Sequence, residues 1–151
     1  MKTFTVTHTE KANAKKETIW ALWSDINNWP DWDVGLSACE SLGDFSAGKT
    51  FKLTPKGAPE AVTATLQEVV ENERFSDKTD LGFATIEAAH EMKMDGDDLL
   101  VTHTITANVA DEKAGFFEEV IWPGFRAGLP QSVESLAKLA EQRECAPTLG
   151  L

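Results

Sequence analysis

From residue 3 to residue 10 the chain alternates strictly, with Phe4, Val6 and His8 on one parity and Thr3, Thr5, Thr7 and Thr9 on the other. A period of two predicts a half-buried strand with its threonines toward water. From Glu17 the period lengthens. Ile19, Leu22, Trp23 and Ile26 fall at i, i+3, i+4 and i+7, one face of an amphipathic helix. Asn27, Asn28 and Pro30 end it, because proline disfavours helix at the preceding residue, and a short turn carrying Trp29 and Trp32 follows.

Three strands are expected at about residues 34–42, 49–54 and 61–70, separated by Gly43 and Gly48 and by the turn Pro55-Lys56-Gly57-Ala58-Pro59. A further strand over residues 74–79 leads to the clearest hairpin, residues 85–94 and 99–109 about Asp95-Gly96-Asp97-Asp98. One side of that hairpin carries Ile86, Ala88, His90, Met92, Met94, Leu99, Val101, His103, Ile105, Ala107 and Val109. The other carries Glu87, Glu91, Lys93, Thr102, Thr104, Thr106 and Asn108. Such segregation predicts a sheet wet on one face and covered on the other. The cover is the C-terminal third. Phe116, Phe117, Val120 and Ile121 begin a helical pattern, and Val133, Leu136, Ala137 and Ala140 resume it to about Glu144. Pro123-Gly124 and Pro130 between them predict a kinked or two-piece helix, with a frayed tail over residues 146–151. The element order is α+β, with the helix lying across the apolar face of an antiparallel sheet and a mostly apolar pocket between them.

The segment IWALWSDINNWPDWD (residues 19–33), the Gly48-Lys49-Thr50-Phe51 strand start and the closing LPQSVESLAKLAEQ (residues 129–142) resemble the START/Bet v 1-like superfamily. This superfamily is also called SRPBCC, and the likeness is to its small bacterial polyketide cyclase/dehydrase-like members. It spans residues 3–144 of a single domain covering residues 1–151. The resemblance implies a helix-grip fold, in which seven antiparallel strands wrap the long C-terminal helix and two short helices plug one end. It also implies an interior cavity for lipids, steroids or polyketide-like molecules. It does not imply a reaction, because fold alone does not fix function.

Composition narrows the classes. The 151 residues suffice for a core without staples. The net charge of −11, with scattered basic residues, would repel a phosphate backbone, so no nucleic-acid partner is expected. Cys39 and Cys145 follow no metal or redox spacing and read as free thiols. The first twenty residues lack a signal peptide's apolar block and no stretch reaches membrane-span length, so a cytoplasmic location without membrane insertion is expected. A monomer or homodimer is expected. There are five tryptophans and eight phenylalanines but no tyrosine, which removes a phenol often used in polar catalysis.

Candidate chemistry centres on the histidines, all three on the apolar parity of their strands. A four-residue Asp95–Asp98 turn pairs His90 with His103, whereas a two-residue Asp95-Gly96 loop moves the match by two. If the first strand borders the last, as the resemblance implies, His8 neighbours His103. Each imidazole is then a hydrogen-bonded wall residue, a ligand-reading or proton-transferring group, or one of three ligands to a metal. No metal and no cofactor are expected, for lack of a supporting motif. Trp23 reads as core. Trp29, Trp32 and Trp122, beside turn-forming residues, are candidates to rim the pocket, with Phe51, Phe75, Met92, Ile105, Phe117 and Phe125 as walls. Arg126, just past Pro123-Gly124, is a candidate to reach inward and hold a carboxylate or enolate. Two functions compete. One is binding or transport of a small hydrophobic molecule anchored by His90, His103 or Arg126. The other is a cyclase, dehydratase or isomerase in which the same three residues move a proton and stabilise an enolate. A third reading makes the acidic surface a protein-interaction face.

Overall fold

The computed structural model describes residues 1–149, with side chains to Cys145. Strand β1 (Lys2–Ala12) is followed by helix α1 (Lys16–Ser24) and a 3-10 turn (Ile26–Asp31). Then come β2 (Leu36–Ser41), β3 (Thr50–Pro55), β4 (Val62–Val70), β5 (Arg74–Asp80), β6 (Ala84–Asp95) and β7 (Asp98–Val109). The chain closes with α2 (Asp111–Phe116), one π turn (Phe117–Ile121) and α3 (Trp122–Leu149). The strands form one antiparallel sheet in the order β1-β7-β6-β5-β4-β3-β2. This is the helix-grip arrangement that the resemblance implies.

Parity sorts the two faces. On the outer face of β1 and β7 the threonines form a ladder, with Thr7 and Thr104 oxygens 2.9 Å apart and Thr9 and Thr102 oxygens 2.7 Å apart. Cross-strand hydroxyl pairs of this kind support a solvated sheet face. Inward, Phe4, Ile86, Ala107, Val109, Phe117 and Trp122 form one buried cluster. A larger one joins Trp23, Trp29, Trp32, Phe51, Phe75 and Val101 to Leu129, Val133 and Leu136 of α3. A register shift between Leu66 and Glu68 of β4 lets the strand bend, as bulges do, while Leu66 stays opposite Asp77 and Val69 opposite Phe75.

The C-terminal helix departs from expectation. It is neither divided nor broken at Pro123, because the π turn immediately precedes that proline. The Trp122 N–H bonds the Phe117 carbonyl five residues back. Proline has no N–H to donate, and its ring collides with the carbonyl four residues earlier in a regular helix. A wider turn at that point absorbs both problems. The same turn leaves Phe116 and Val120 facing solvent at 58% and 61% exposure while Phe117 is fully buried. The expected frayed tail is helical through Leu149; Gly150 and Leu151 lie outside the described residues. Met94, on the apolar parity of its strand, is exposed where the hairpin runs past the core.

The β6–β7 turn fixes the interior. Asp95 pairs with Asp98 and Met94 with Leu99, so His90 stands opposite His103. Gly96 makes this possible at φ 64°, a conformation costly for any residue with a Cβ, although there is open space around it. Gly96→Ala should therefore lower unfolding stability by about 1 kcal/mol. Urea denaturation checks this, and an unchanged midpoint would show that the turn does not need a positive φ.

Candidate functional site

The register of β1 on β7 places His8 opposite His103, and that of β6 on β7 places His90 there too, so three imidazoles lie in one cross-strand row. They do not share one environment. His90 and His103 are buried, with ring centroids 4.5 Å apart. His8, at the sheet edge, is half-buried and bonds Glu10 through Nε2 at 2.7 Å. Glu134 of α3 brings a carboxylate beside them, so His8, Glu10 and Glu134 gather ligand atoms within 4.8 Å of one another, a grouping that the sequence reading did not assemble.

The two buried histidines are packed among rings. His90 stacks on Phe75 at 4.0 Å and 5°, and its Nδ1 lies 3.3 Å from the Phe75 carbonyl. The Trp23 indole N–H donates to His103 Nε2 at 3.2 Å. His103 must then carry any proton on Nδ1. Burial pushes His90 down to about 3. His103 is also driven well below the ordinary imidazole value, by burial first and then by His90 and His8. Both rings are therefore neutral near pH 7.

The remaining predicted residues divide clearly. Trp29, Trp32 and Trp122 are buried in the two clusters rather than placed at a rim, with Trp29 donating its Nε1–H to the Trp23 carbonyl at 2.8 Å. Pro30 lies in the 3-10 turn and Pro123 within α3, and the rings beside them turn inward. Phe51, Phe75, Met92 and Phe117 are buried, and Phe125 and Ile105 are half-buried. Arg126 does not reach inward. It is exposed and makes no ion pair or hydrogen bond among the described residues, because its long chain carries the guanidinium to water. Trp29, Phe51 and Phe75, expected at the rim and walls of a pocket, touch one another instead, with Trp29 5.2 Å from Phe51 and 5.9 Å from Phe75, and Trp20, Trp23 and Phe45 pack edge-on around Phe75. A hollow of about 250 Å³ lies on the outer face, over Arg74, Ser76, Ala89, Glu91 and Thr104.

Below that aromatic half, the inward row is Val6, Ile105, Ala88, Asp77 and Leu66, each the cross-strand partner of the next. Val6, Ile105 and Ala88 are only half-buried although they face α3, and Val6 and Ile105 touch both clusters. Asp77 is buried. Its carboxyl makes no hydrogen bond to another described residue, and burial, reinforced by the charge of Asp33, pushes it up to about 8. Asp33 is raised by burial as well, but this is opposed by the Gly35 N–H at 3.0 Å, the Ser132 hydroxyl at 3.2 Å and the charge of Lys56. The two acids are thus set apart: Asp33 accepts two hydrogen bonds that oppose its upward shift, whereas Asp77 is held as a neutral acid. Cys39 is a free thiol that burial and Asp33 push up to about 12, so it stays protonated. Among the described residues one side-chain polar atom is buried without a partner, the Trp32 Nε1–H.

The sequence reading missed Asp77, Asp33 and Ser132. A signal for Asp77 was present, since it shares parity with Phe75 and Thr79 in its strand.

Residues 3–141 match the family model described as polyketide cyclase / dehydrase and lipid transport. No curated protein matches the sequence. Among solved structures, a norcoclaurine synthase point mutant from Thalictrum flavum, in complex with a transition-state analogue, superposes with a TM-score of 0.72 at 17% identity. The match covers 95% of this chain and 97% of that one. The same enzyme with dopamine and hydroxybenzaldehyde gives 0.70 at 17% identity, covering 93% and 88%. The protein TTHA0849 from Thermus thermophilus gives 0.74 at 12% identity, covering 93% and 99%. At these identities the likeness is one of fold. Among the described residues no helix is long and apolar enough to cross a membrane.

Asp77 makes folding depend on pH in an unusual direction. The unfolded chain releases this proton near 3.8, whereas the folded protein holds it to about 8. The carboxyl thus favours the fold fully below the lower value, and that contribution is lost as pH rises through the upper one. Asp77→Asn should change stability little near pH 4 and raise it by a few kcal/mol, on the order of one for each pH unit of displacement, at pH 8 and above. Thermal melts across pH check this; a difference independent of pH would mean that Asp77 is charged in the fold. His90 acts oppositely, its contribution being present above 6.5 and lost as pH falls toward 3. Trp23→Phe, which leaves His103 Nε2 without its donor, should cost about 1–3 kcal/mol by denaturant titration.

Proposed function

This chain belongs to the polyketide cyclase / dehydrase and lipid transport family, and from that premise we propose that it binds a small, mostly apolar molecule between the sheet and the gripping helix. The observation that carries the reading is the half-buried row Val6, Ile105 and Ala88. These residues face the helix, lie between two packed aromatic clusters, and still keep surface that a ligand would cover. Apolar surface left uncovered inside a fold favours a guest by about 25 cal/mol per Å² buried. The fold similarity to norcoclaurine synthase, solved with small aromatic molecules bound, is consistent with such a guest. We place this binder or carrier in the cytoplasm, as a monomer or homodimer.

An enzyme of cyclase, dehydratase or isomerase type remains the second reading, but His90 and His103 suit it poorly. A base that stays neutral down to about pH 3 has little affinity for a substrate proton, and both rings are already engaged. Arg126 is exposed and offers such a substrate no buried contact.

Native mass spectrometry of gently purified protein should find a stoichiometric apolar adduct that is released unchanged. Ile105→Trp, which fills the half-buried row, should reduce its retention by about tenfold, the effect of roughly 1.4 kcal/mol. A folded variant that retains the adduct fully would remove the site from this row, and a chemically altered adduct would favour the enzyme.

A further inference from the structure

The half-buried row ends at an acid with no hydrogen-bond partner among the described residues. Asp77 is the cross-strand partner of Ala88, which in turn faces Ile105, so the strip of apolar surface runs directly to its carboxyl. No hydrogen bond to another described residue satisfies it, and Asp33, which does have partners, lies near enough for its charge to be felt there. Immediately before Asp33 stands Trp32, only 3% exposed, with its indole ring 5.7 Å from that of His103. His103 is the inward neighbour of Ile105 along β7. The Trp32 Nε1–H is buried and unmatched. One buried, unmatched donor, Trp32 Nε1–H, and one carboxyl without a hydrogen bond to another described residue, that of Asp77, thus flank the apolar strip, and the donor costs the fold free energy until something meets it.

We propose that Trp32 and Asp77 are the polar contacts of the ligand site, and that together they select an uncharged apolar molecule bearing a hydrogen-bond-accepting oxygen, such as a ketone. This rests on the binding function argued above and specifies its ligand class. The selection follows from what each group offers. Indole N–H is a donor only. Asp77, as a neutral acid, is a donor as well. A carbonyl oxygen accepts from either. An ammonium group has no acceptor and would leave Trp32 unmatched. A carboxylate or phosphate would enter beside Asp33 with no buried cation to receive it, since His90 and His103 are neutral and Arg126 is in water.

Four probes of one shape separate these chemistries: 2-acetylnaphthalene, 2-ethylnaphthalene, 2-(aminomethyl)naphthalene and 2-naphthoate. Each is titrated into the full chain by calorimetry and by following the five indole N–H resonances, with Trp32 assigned through Trp32→Phe. The ketone should bind about tenfold tighter than the ethyl compound, the value of one net hydrogen bond, and should shift the Trp32 resonance. Asp77→Leu, an apolar replacement of similar size, should abolish that preference, and Asp77→Asn, which keeps a donor, should retain most of it. If ethyl and acetyl compounds bind alike in all three proteins, binding stands and the polar contacts proposed here fall. Preference for the amine would overturn the proposal in favour of cation capture, and preference for naphthoate would move the polar contact to Arg126. If no probe binds, the binding function itself falls, and this inference with it.

Discussion

Much of the interior depends on the hydrogen bond from the Trp23 indole to His103. It joins the first helix to the last strand, and it does so between groups that have no water to fall back on. An imidazole in such a place is tolerable only when neutral and bonded. Trp23 supplies the donor that its Nε2 needs, and the Phe75 carbonyl lies beside His90 Nδ1. With both rings neutral, aromatic neighbours can close around them. Phe75 stacks on one and Trp32 meets the other edge-on. A protonated ring at either position would force water or a counter-ion into that cluster.

The register that makes this bond possible is set far from it. Gly96 closes the β6–β7 turn so that His90 faces His103, and the pairing of first with last strand brings β1 alongside. The first of these was legible as one of two turn choices, and the second came only from the family resemblance, because β1 and β7 are separated by most of the chain. The alternation of Thr3 to Thr9 against Phe4 to His8 identified the buried face of β1 without any partner in view. Parity is robust because it needs only the pleat, not the neighbour.

What sequence reading lost is equally local in cause. In Arg74–Asp80 four of seven residues are charged, so the composition of the strand does not point to a buried face. The inward set Phe75, Asp77 and Thr79 is visible only when parity is allowed to outweigh composition. Asp33 lies in a turn, where no period exists to orient it, and its bond to Ser132 spans 99 positions. Trp29, Trp32 and Trp122 are buried instead of at a rim for a different reason. Pro30 was read correctly as a turn, but a turn constrains the backbone and not the ring, and burial of a large aromatic overrides the expectation that turns face water. Arg126 shows the reverse case. Helical phase sets it with Trp122, Leu129 and Val133, all buried, yet it is exposed. A long charged chain can leave an inward stripe wherever the stripe borders an opening.

That last feature bears on how the two halves of the interior differ. The aromatic half is closed by rings whose mutual contacts leave their edges and faces satisfied, so it resists rearrangement. The other half combines three half-buried apolar side chains with a solvent-seeking arginine on a helix that begins from a π turn. Single π turns inside helices are frequent at functional sites. Where α3 begins, Phe117 and Trp122 pack on Phe4 in the second buried cluster, so the half-buried row lies between two sets of packed rings. Trp32, whose Nε1–H is unmatched, belongs to the larger aromatic cluster, and Asp77 follows Ala88 in the cross-strand row. Polar groups positioned that way can discriminate between ligands, since their orientation is fixed before binding and no reorganisation is needed to meet the right partner.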